Sequence, residues 1–260
     1  MIPRFLRLIR HFRYHRHLFN CRWQSGMSDD HGHKMSKKGT WIKMYEENSS
    51  DFDWLIDGRM AANVVIAFMK KLPIENDVVL KVMDLGCGSS PFSRILYERS
   101  PIPVGVVGLD YAESAVASAK KKFRENGITI PGTTNSSLSF TTADARSMPF
   151  RDASFDIIVD KGTMDSALKH QKLGNALAQE MALELVRVLK INRHILQFTD
   201  EDPELRLSLW DNFVSEMKLS DIELNRTFQV LETGAESEQR EMFMYVIEKM
   251  QLPKLPSTLK

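Results

Sequence analysis

The sequence predicts an α/β protein in which helices cover both faces of a mostly parallel sheet. Short apolar runs alternate with longer segments whose apolar residues recur at three- and four-residue steps, which is typical of strands alternating with helices. A glycine-rich turn at 85–91 follows the first apolar run, and the second run ends in an acid, Asp110. A strand, a glycine-rich turn, a helix and a second strand ending in a carboxylate form the arrangement in which a doubly wound sheet binds an adenosine-containing cofactor.

The first half of the chain supplies three helices and three strands. Met60, Val64, Ala67 and Phe68 recur at helical steps and Pro73 follows them, which predicts a helix from Asp57 to Leu72. Apolar runs predict strands at 78–84, 104–110 and 138–142. Helices are predicted at 92–100 and at 113–126, the second ending at Gly127.

The second half supplies the remaining strands. A compact apolar run predicts a strand at 155–160, a long helix follows at 173–190, and a fifth strand lies at 195–199. A helix at 205–217 precedes two strand-like runs at 222–231 and 242–248, whose polar connection suits a hairpin. Asp165 is placed to cap a further helix. The result is seven strands, of which the last is antiparallel.

The turn itself narrows the choice of cofactor. Gly86 and Gly88 lack a Cβ, so the backbone bends sharply and approaches a ligand at the strand end. The third glycine that seats a dinucleotide pyrophosphate is absent, which argues against nicotinamide binding. With Asp84 before it and Asp110 after it, the turn resembles motif I of class I S-adenosylmethionine (SAM) methyltransferases. This resemblance implies a Rossmann-like three-layer sandwich in which Asp84 helps to hold the methionine moiety of SAM.

The carboxyl ends of the strands carry the candidate site residues, because ligands of such a sheet bind there. Asp110 is expected on the ribose, and Asp144 with the Ala145 backbone on the adenine edge. Asp160 and the run 200–202 are left to face the substrate. A second interpretation of that run is a solvated helix start, with Asp202 as the N-cap before Pro203.

The catalytic assignment is made for a lysine acceptor, which the resemblance of residues 160–165 to protein-lysine methyltransferases implies. A lysine amine has a reference pKa of about 10.4 and is protonated at neutral pH, so the site must recruit a cation and let a proton leave. We expect Asp160 to contact or orient the amine and Asp200 to assist it, with either a side chain or water taking the proton. We expect no metal ion.

The amino-terminal 28 residues differ in charge from the remainder. They contain six arginines, three histidines and no acid, and the first five arginines recur at every third position. This composition is typical of a mitochondrial transit peptide, with a basic nucleic-acid-binding arm as the alternative. Removing these six from the 35 basic residues leaves 29 against 34 acidic residues, a formal charge of −5. That charge argues against a nucleic-acid partner, and the arginines exclude an amino-terminal membrane span.

The segment Asp160-Lys161-Gly162-Thr163-Met164-Asp165 resembles the signature of the seven-strand protein-lysine methyltransferases. Within that family, 197–204 and Phe52-Asp53-Trp54 are most similar to the mitochondrial members that act on citrate synthase. The resemblance covers about residues 51–248 and implies roles for five further residues. Trp41, Tyr45 and Trp54 would close over SAM, Tyr111 would stack near the adenosine, and Lys161 would border the pocket. The alternatives are that the aromatics belong to the core and that Lys161 is a solvated turn residue.

These observations predict four segments and one function. The segments are a transit peptide at 1–28, a linker and N-terminal cap at 29–50, a methyltransferase domain at 51–250 and a flexible tail at 251–260. The function that the resemblance implies, together with the basic amino terminus, is SAM-dependent methylation of a lysine of citrate synthase in the mitochondrial matrix. A small-molecule methyltransferase and a SAM-binding scaffold without catalysis are the alternatives. The sequence departs from the common pattern at 191–193, where a Pro-Gly-Gly turn is usual before the fifth strand.

Overall fold

The computed structural model describes residues 34–48, 50–75, 78–125, 132–217, 219–231 and 241–253. The strands are β1 (Leu80–Leu85), β2 (Val104–Asp110), β3 (Ser137–Thr142), β4 (Phe155–Asp160), β5 (Leu189–Thr199), β6 (Ile222–Leu231) and β7 (Met242–Gln251). The helices are α1 (Lys38–Glu47), α2 (Gly58–Met69), α3 (Phe92–Arg99), α4 (Glu113–Glu125), α5 (Thr163–Leu168), α6 (Gly174–Val188) and α7 (Pro203–Met217).

The described strands form one seven-stranded sheet in the order β3-β2-β1-β4-β5-β7-β6. β1 to β5 are parallel, and β7 runs antiparallel to both of its neighbours. β1 pairs with β2 on one side and with β4 on the other. The strand order therefore reverses at β1, and the crevice at its carboxyl end is where such a sheet binds its ligand. The predicted fold class is confirmed.

Two apolar clusters cover the two faces of the sheet. Met83 and Ile158 pack toward α6 and α7, whereas Val82 and Ile157 pack toward α2 and α3. Because both faces are buried, the central strands are continuous apolar runs rather than alternating patterns. This is why the sequence identified β2 and β4 with the bounds that the structure shows.

β5 begins six residues earlier than predicted, at Leu189. The buried carboxylate of Asp156 accepts hydrogen bonds from Lys190 Nζ (2.7 Å) and Arg193 Nε (2.8 Å), and it holds this polar stretch along β4. Asn192 adopts a left-handed conformation with φ 57°, and the pairing register shifts between Phe155 and Ile157. Residues 191–193, where the sequence lacks the common Pro-Gly-Gly turn, therefore form an irregular extension of β5.

No bounds were predicted for helix α5, and the expected capping role of Asp165 is wrong. The carboxylate of Asp160 accepts from the backbone N–H of Thr163 at 2.7 Å and therefore caps α5. Asp165 lies inside the helix and accepts a hydrogen bond from Thr199 Oγ1 at 2.6 Å. The expected N-cap of the following helix is confirmed, because Asp202 accepts from Glu204 N at 2.7 Å.

Several predictions fall outside the described residues. They are the presequence, the helix stop at Gly127 and the end of the tail from 254 onward. Among the residues that the structure describes, no helix combines the length and the apolar composition that crossing a membrane requires.

Candidate active site

A cavity lies at the carboxyl ends of β1, β2 and β4, beneath helix α1. It encloses about 670 Å³, part of which is open to solvent. Eight of the predicted site residues line it: Trp41, Tyr45, Trp54, Gly86, Asp110, Tyr111, Ala145 and Lys161. Five do not: Asp84, Gly88, Asp144, Asp160 and Asp200.

The glycine-rich turn forms one wall because its two glycines allow other elements to approach. Gly86 has φ 64°, and a Cβ there would collide with Thr163 Oγ1, the hydroxyl that donates to the Leu85 carbonyl at 2.8 Å. Gly88 has φ 50°, and a Cβ there would collide with the hydroxyl of Tyr45. The glycines are therefore required for the contacts of the turn with α5 and α1, in addition to the positive φ.

Asp110 presents a carboxylate at the end of β2. Its oxygens accept from the backbone N–H groups of Gly88 (2.9 Å) and Ala112 (2.8 Å), which fix its orientation. Burial raises the pKa of this carboxyl, and the two hydrogen bonds oppose the rise. A carboxylate retains further acceptor lone pairs, so this arrangement suits an acceptor for ribose hydroxyls.

Asp84 lies behind the cavity wall and not at its surface. The Asp84 side chain is fully buried and accepts from Ser93 Oγ (2.7 Å) and Lys161 Nζ (3.2 Å). Burial raises the pKa of the Asp84 carboxyl, and the Lys161 ammonium opposes the rise. Burial disfavours the charged form of Lys161, but the carboxylates of Asp84 and Asp53 together outweigh it and the pKa of Lys161 is raised.

Lys161 is therefore the charged group that faces the cavity at this point. Its side chain is only 6% exposed, and its ammonium lies 4.8 Å from the centre of the Phe92 ring. The alternative interpretation of Lys161 as a solvated turn residue is wrong. Where the sequence predicts that Asp84 meets the methionine moiety, the cavity presents the ammonium of Lys161. Asp84 supports this ammonium from behind the cavity wall.

Aromatic side chains from α1 and from the segment before α2 cover the cavity. The Trp41 ring stacks on Tyr45 with centroids 6.1 Å apart and meets Trp54 edge-on at 5.5 Å. Trp41 Nε1 donates to the Met35 carbonyl (2.6 Å) and to Ser166 Oγ (3.0 Å), which ties α1 to α5. Trp41 is buried, as a core residue would be, and it also lines the cavity.

The side of the cavity formed by β2 and β3 carries Tyr111 and Ala145. The ammonium of Lys38 lies 4.9 Å from the centre of the Tyr111 ring. Asp144 turns away from the cavity, because its carboxylate accepts from Arg146 N (3.0 Å), Nε (3.0 Å) and Nη2 (2.8 Å). Hydrogen bonds from the Arg146 side chain lower the pKa of Asp144. Contact of Asp144 with an adenine edge stays a prediction.

The two predicted catalytic acids also lie outside the cavity lining. Asp160 is fully buried beneath α5 and accepts from Gln197 Nε2 at 2.8 Å in addition to its capping contact. Burial raises the pKa of the Asp160 carboxyl to about 6, and the nearby Asp165 adds to the rise. Asp200 is exposed after the end of β5. Direct contact of either acid with a substrate amine stays a prediction.

Four polar residues of the cavity were not identified as site residues from the sequence: Asp53, Ser90, Thr163 and Ser166. Asp53 lines it and accepts from Gly58 N at 2.8 Å, while Thr163 and Ser166 line it from α5. Asp53 belongs to the Phe52-Asp53-Trp54 motif that carries part of the family resemblance, and this motif was the signal that could have identified it. Thr163 lies in the 160–165 segment that resembles the family signature, which was its signal, whereas Ser90 and Ser166 gave none.

The residues present fit SAM. Asp110 offers an acceptor for the ribose, and Lys161 offers a cation for the methionine carboxylate. Asp53 offers an anion for the amino group, and the ring of Tyr111 offers a surface for the base. Within the described residues no group of His, Cys, Asp and Glu side chains could hold a metal ion.

Comparison with known proteins decides the assignment. Residues 76–242 match the sequence profile described as a methyltransferase domain. The chain belongs to this methyltransferase family. It is a SAM-dependent enzyme of the class I fold, which confirms the predicted activity class and cofactor. In fold, it resembles a SAM-dependent methyltransferase from Methanosarcina mazei with a TM-score of 0.53 and 19% identity, covering 72% of this chain and 98% of that one.

Two curated relatives are more similar in sequence than this solved structure. The mitochondrial citrate synthase-lysine N-methyltransferase of Danio rerio is 32% identical over 197 residues, which span 73% of this chain and 76% of the relative. The Homo sapiens protein of the same name is 34% identical over 161 residues, which span 60% of this chain and 65% of the relative. The predicted family resemblance is confirmed.

Proposed function

We propose that this methyltransferase transfers methyl groups from SAM to a lysine of citrate synthase in the mitochondrial matrix. The observation that carries the proposal is the 32% identity to a citrate synthase-lysine N-methyltransferase over three quarters of that enzyme's length. The basic, acid-free amino terminus independently supports import into mitochondria. The relatives whose names include this substrate are themselves named mitochondrial.

The chain's own residues bind and enclose the cofactor in this mechanism. SAM, when bound, supplies an electrophilic methyl group on a sulfonium. Asp110 and Lys161 hold the polar ends of the cofactor, and both are kept in place by buried hydrogen bonds. The aromatic cover of Trp41, Tyr45 and Trp54 lines the cavity with apolar surface, and a less aqueous surrounding strengthens the electrostatic contacts inside it.

The acceptor lysine must arrive in line with the methyl group and lose a proton. Asp200 and its acidic neighbours attract the cation at the end of β5. Asp160 acts through α5, because its carboxylate fixes the amino end of the helix that presents Thr163 and Ser166 to the cavity. Since Asp160 is fully buried beneath α5 and does not line the cavity, water at the cavity mouth takes the proton from the amine.

The test is incubation of the purified protein with citrate synthase and methyl-labelled SAM, followed by mass spectrometry of the product. Label on a lysine of citrate synthase supports the proposal. The Asp110→Asn variant is the control, and it should bind SAM more weakly and incorporate less label. Label that appears only on small molecules would indicate a small-molecule methyltransferase. SAM binding with no label on any product would indicate a scaffold.

A second experiment tests the location. Amino-terminal sequencing of the protein recovered from isolated mitochondria should begin near residues 25–28, before the first acid of the chain, Asp29. Recovery of an intact Met1 from the matrix fraction would contradict the presequence. Absence of the protein from that fraction would contradict the matrix assignment.

A further inference from the structure

The outer end of the sheet presents an apolar surface beside an acidic segment. Phe228 and Val230 of β6 are 42% and 57% exposed. Among the described strands, β6 lies at the edge of the sheet with β7 as its one neighbour. Exposed apolar side chains on an edge strand are a liability for a protein that has no partner there, so their presence requires an explanation.

The apolar surface rests on an aromatic cluster. The Phe228 ring lies 6.1 Å from the Phe243 ring and 5.9 Å from the Tyr245 ring, centroid to centroid. Val230 pairs with Phe243 in the register of β6 and β7. A preorganised aromatic and aliphatic surface loses little side-chain entropy on binding, which favours its use as a contact site.

Hydrogen bonds connect this surface to the active site. Tyr245 OH donates to the Glu201 carbonyl (2.7 Å), and Glu201 N donates to Thr199 Oγ1 (3.1 Å). Thr199 Oγ1 in turn donates to Asp165, which precedes the cavity-lining Ser166 in α5. The apolar surface and the cavity therefore lie along the same carboxyl edge of the sheet.

The segment between them is strongly acidic. Residues 200–204 contain four acids, Asp200, Glu201, Asp202 and Glu204, and no base. The nearest cation in sequence, Arg206, is buried and pairs with Asp165. The negative charge at this edge attracts a cationic partner and disfavours a second copy of the same chain, because two such edges would repel each other.

We propose that Phe228, Val230 and the acidic segment 200–204 together form the docking surface for the protein substrate. The partner segment has an apolar side chain that packs against β6 and basic side chains beside the target lysine that face the acids. This inference rests on the proposed function, since it requires a protein substrate. The inference specifies the side of the cavity from which the protein substrate approaches. It also specifies the kinds of side chain that the substrate presents.

Steady-state kinetics with citrate synthase as the varied substrate test the inference. The Phe228→Ser/Val230→Ser variant should show a KM for citrate synthase raised about tenfold, the typical effect of truncating central contact residues. Its kcat should stay within about twofold of the wild-type value, because chemistry occurs in the separate cavity. Val230→Ser alone is measured in parallel, since it leaves the contacts of the Phe228 ring with Phe243 and Tyr245 intact. The dissociation constant for SAM should not change.

Two further variants separate apolar from electrostatic effects. Leu183→Ser removes an equally exposed apolar side chain from α6 and should leave KM unchanged. Glu204→Gln should raise KM and weaken its increase with salt concentration, because one attractive charge is lost. Unchanged KM in both β6 variants, with wild-type methylation intact, would overturn the docking surface but not the function. Failure of the wild-type protein to methylate citrate synthase would remove both.

The oligomeric state of the protein tests whether a second copy of the chain, rather than the substrate, occupies this surface. Analytical ultracentrifugation of the wild-type protein should show a species that the β6 substitutions do not alter. A wild-type dimer that the β6 variant dissociates, with unchanged KM, would show that the surface joins two copies of the chain and would overturn the proposal.

Discussion

The ammonium of Lys161 lies 3.2 Å from the carboxylate of Asp84, and the Asp84 side chain is fully buried. Asp84 comes from the end of β1 and Lys161 from the turn after β4, so the pair joins the two central strands at the cavity. Because a buried charge is costly unless it is paired, each residue requires the other. The pair places the ammonium of Lys161 at the cavity, whereas the carboxylate of Asp84 stays behind the cavity wall.

Replacing Lys161 by Met should destabilise the protein by about 3 to 5 kcal/mol, because it leaves a buried carboxylate without its partner. Urea unfolding measures this loss, and calorimetry should show weaker SAM binding. In the Asp84→Asn/Lys161→Met variant, stability should largely return while SAM affinity stays low.

The control is Lys43→Met, whose pair with Glu47 is largely exposed and should contribute less than about 1 kcal/mol. Wild-type SAM affinity in Lys161→Met would contradict the binding role of Lys161.

The Gly88→Ala variant should lose cofactor affinity and stability. The left-handed backbone costs an alanine about 1 to 2 kcal/mol, and the added Cβ would displace the hydroxyl of Tyr45. Combining it with Tyr45→Phe should recover part of the loss, because the colliding oxygen is removed. Thermal unfolding and SAM titration report both effects.

Gly39→Ala serves as the control, since a Cβ at Gly39 meets no atom within 4 Å and alanine favours the helix. Equal losses at the two glycines would contradict the requirement for a glycine at position 88.

The Trp41→Phe variant should release SAM faster and bind it several-fold more weakly. Phenylalanine keeps an aromatic ring beside Tyr45 and Trp54 but removes the N–H that donates to Met35 and Ser166. The energy of one hydrogen bond, about 1 kcal/mol, corresponds to roughly a fivefold change in affinity. Stopped-flow measurement of SAM release detects it.

Ser166→Ala provides the second arm of a double-mutant cycle. Because both residues act through the same contact, their combined effect should be smaller than the sum of the single effects. Additive effects would show that the indole N–H and the Ser166 hydroxyl act independently.

Asp160 should make the stability of the protein depend on pH. Its pKa is about 6 in the folded state, against an ordinary value of 3.8, so the folded state binds the proton more tightly than the unfolded chain does. The stabilisation from this proton is complete below the unfolded value and is lost as the pH rises through about 6.

The measurement compares wild type with Asp160→Asn by urea unfolding. Between pH 4.5 and 7.5, the wild-type free energy of unfolding should fall by about 2 kcal/mol relative to the variant. A difference that stays constant across this range would contradict the raised pKa.

The sequence predicted the elements whose signal is local. β2 and β4 have the predicted bounds because each is a short apolar run buried on both faces. The start of β5 was missed because its polar residues are held by Asp156, a contact between strands that leaves no trace in the apolar pattern. The bounds of helix α5 were missed because six residues are too few to show a period.

By itself, the sequence determined the fold class, the cofactor turn and the set of strand-end residues from which the site is built. Those features depend on residue types at fixed spacing along the chain, and spacing is what a sequence records. The tertiary structure alone decided which acids face the cavity. Asp84 lies behind Lys161, Asp144 is turned toward Arg146, and Asp160 lies under α5. The end of a strand fixes the backbone position of a residue. The direction and the partners of its side chain depend on helices and strands that lie far away in the sequence.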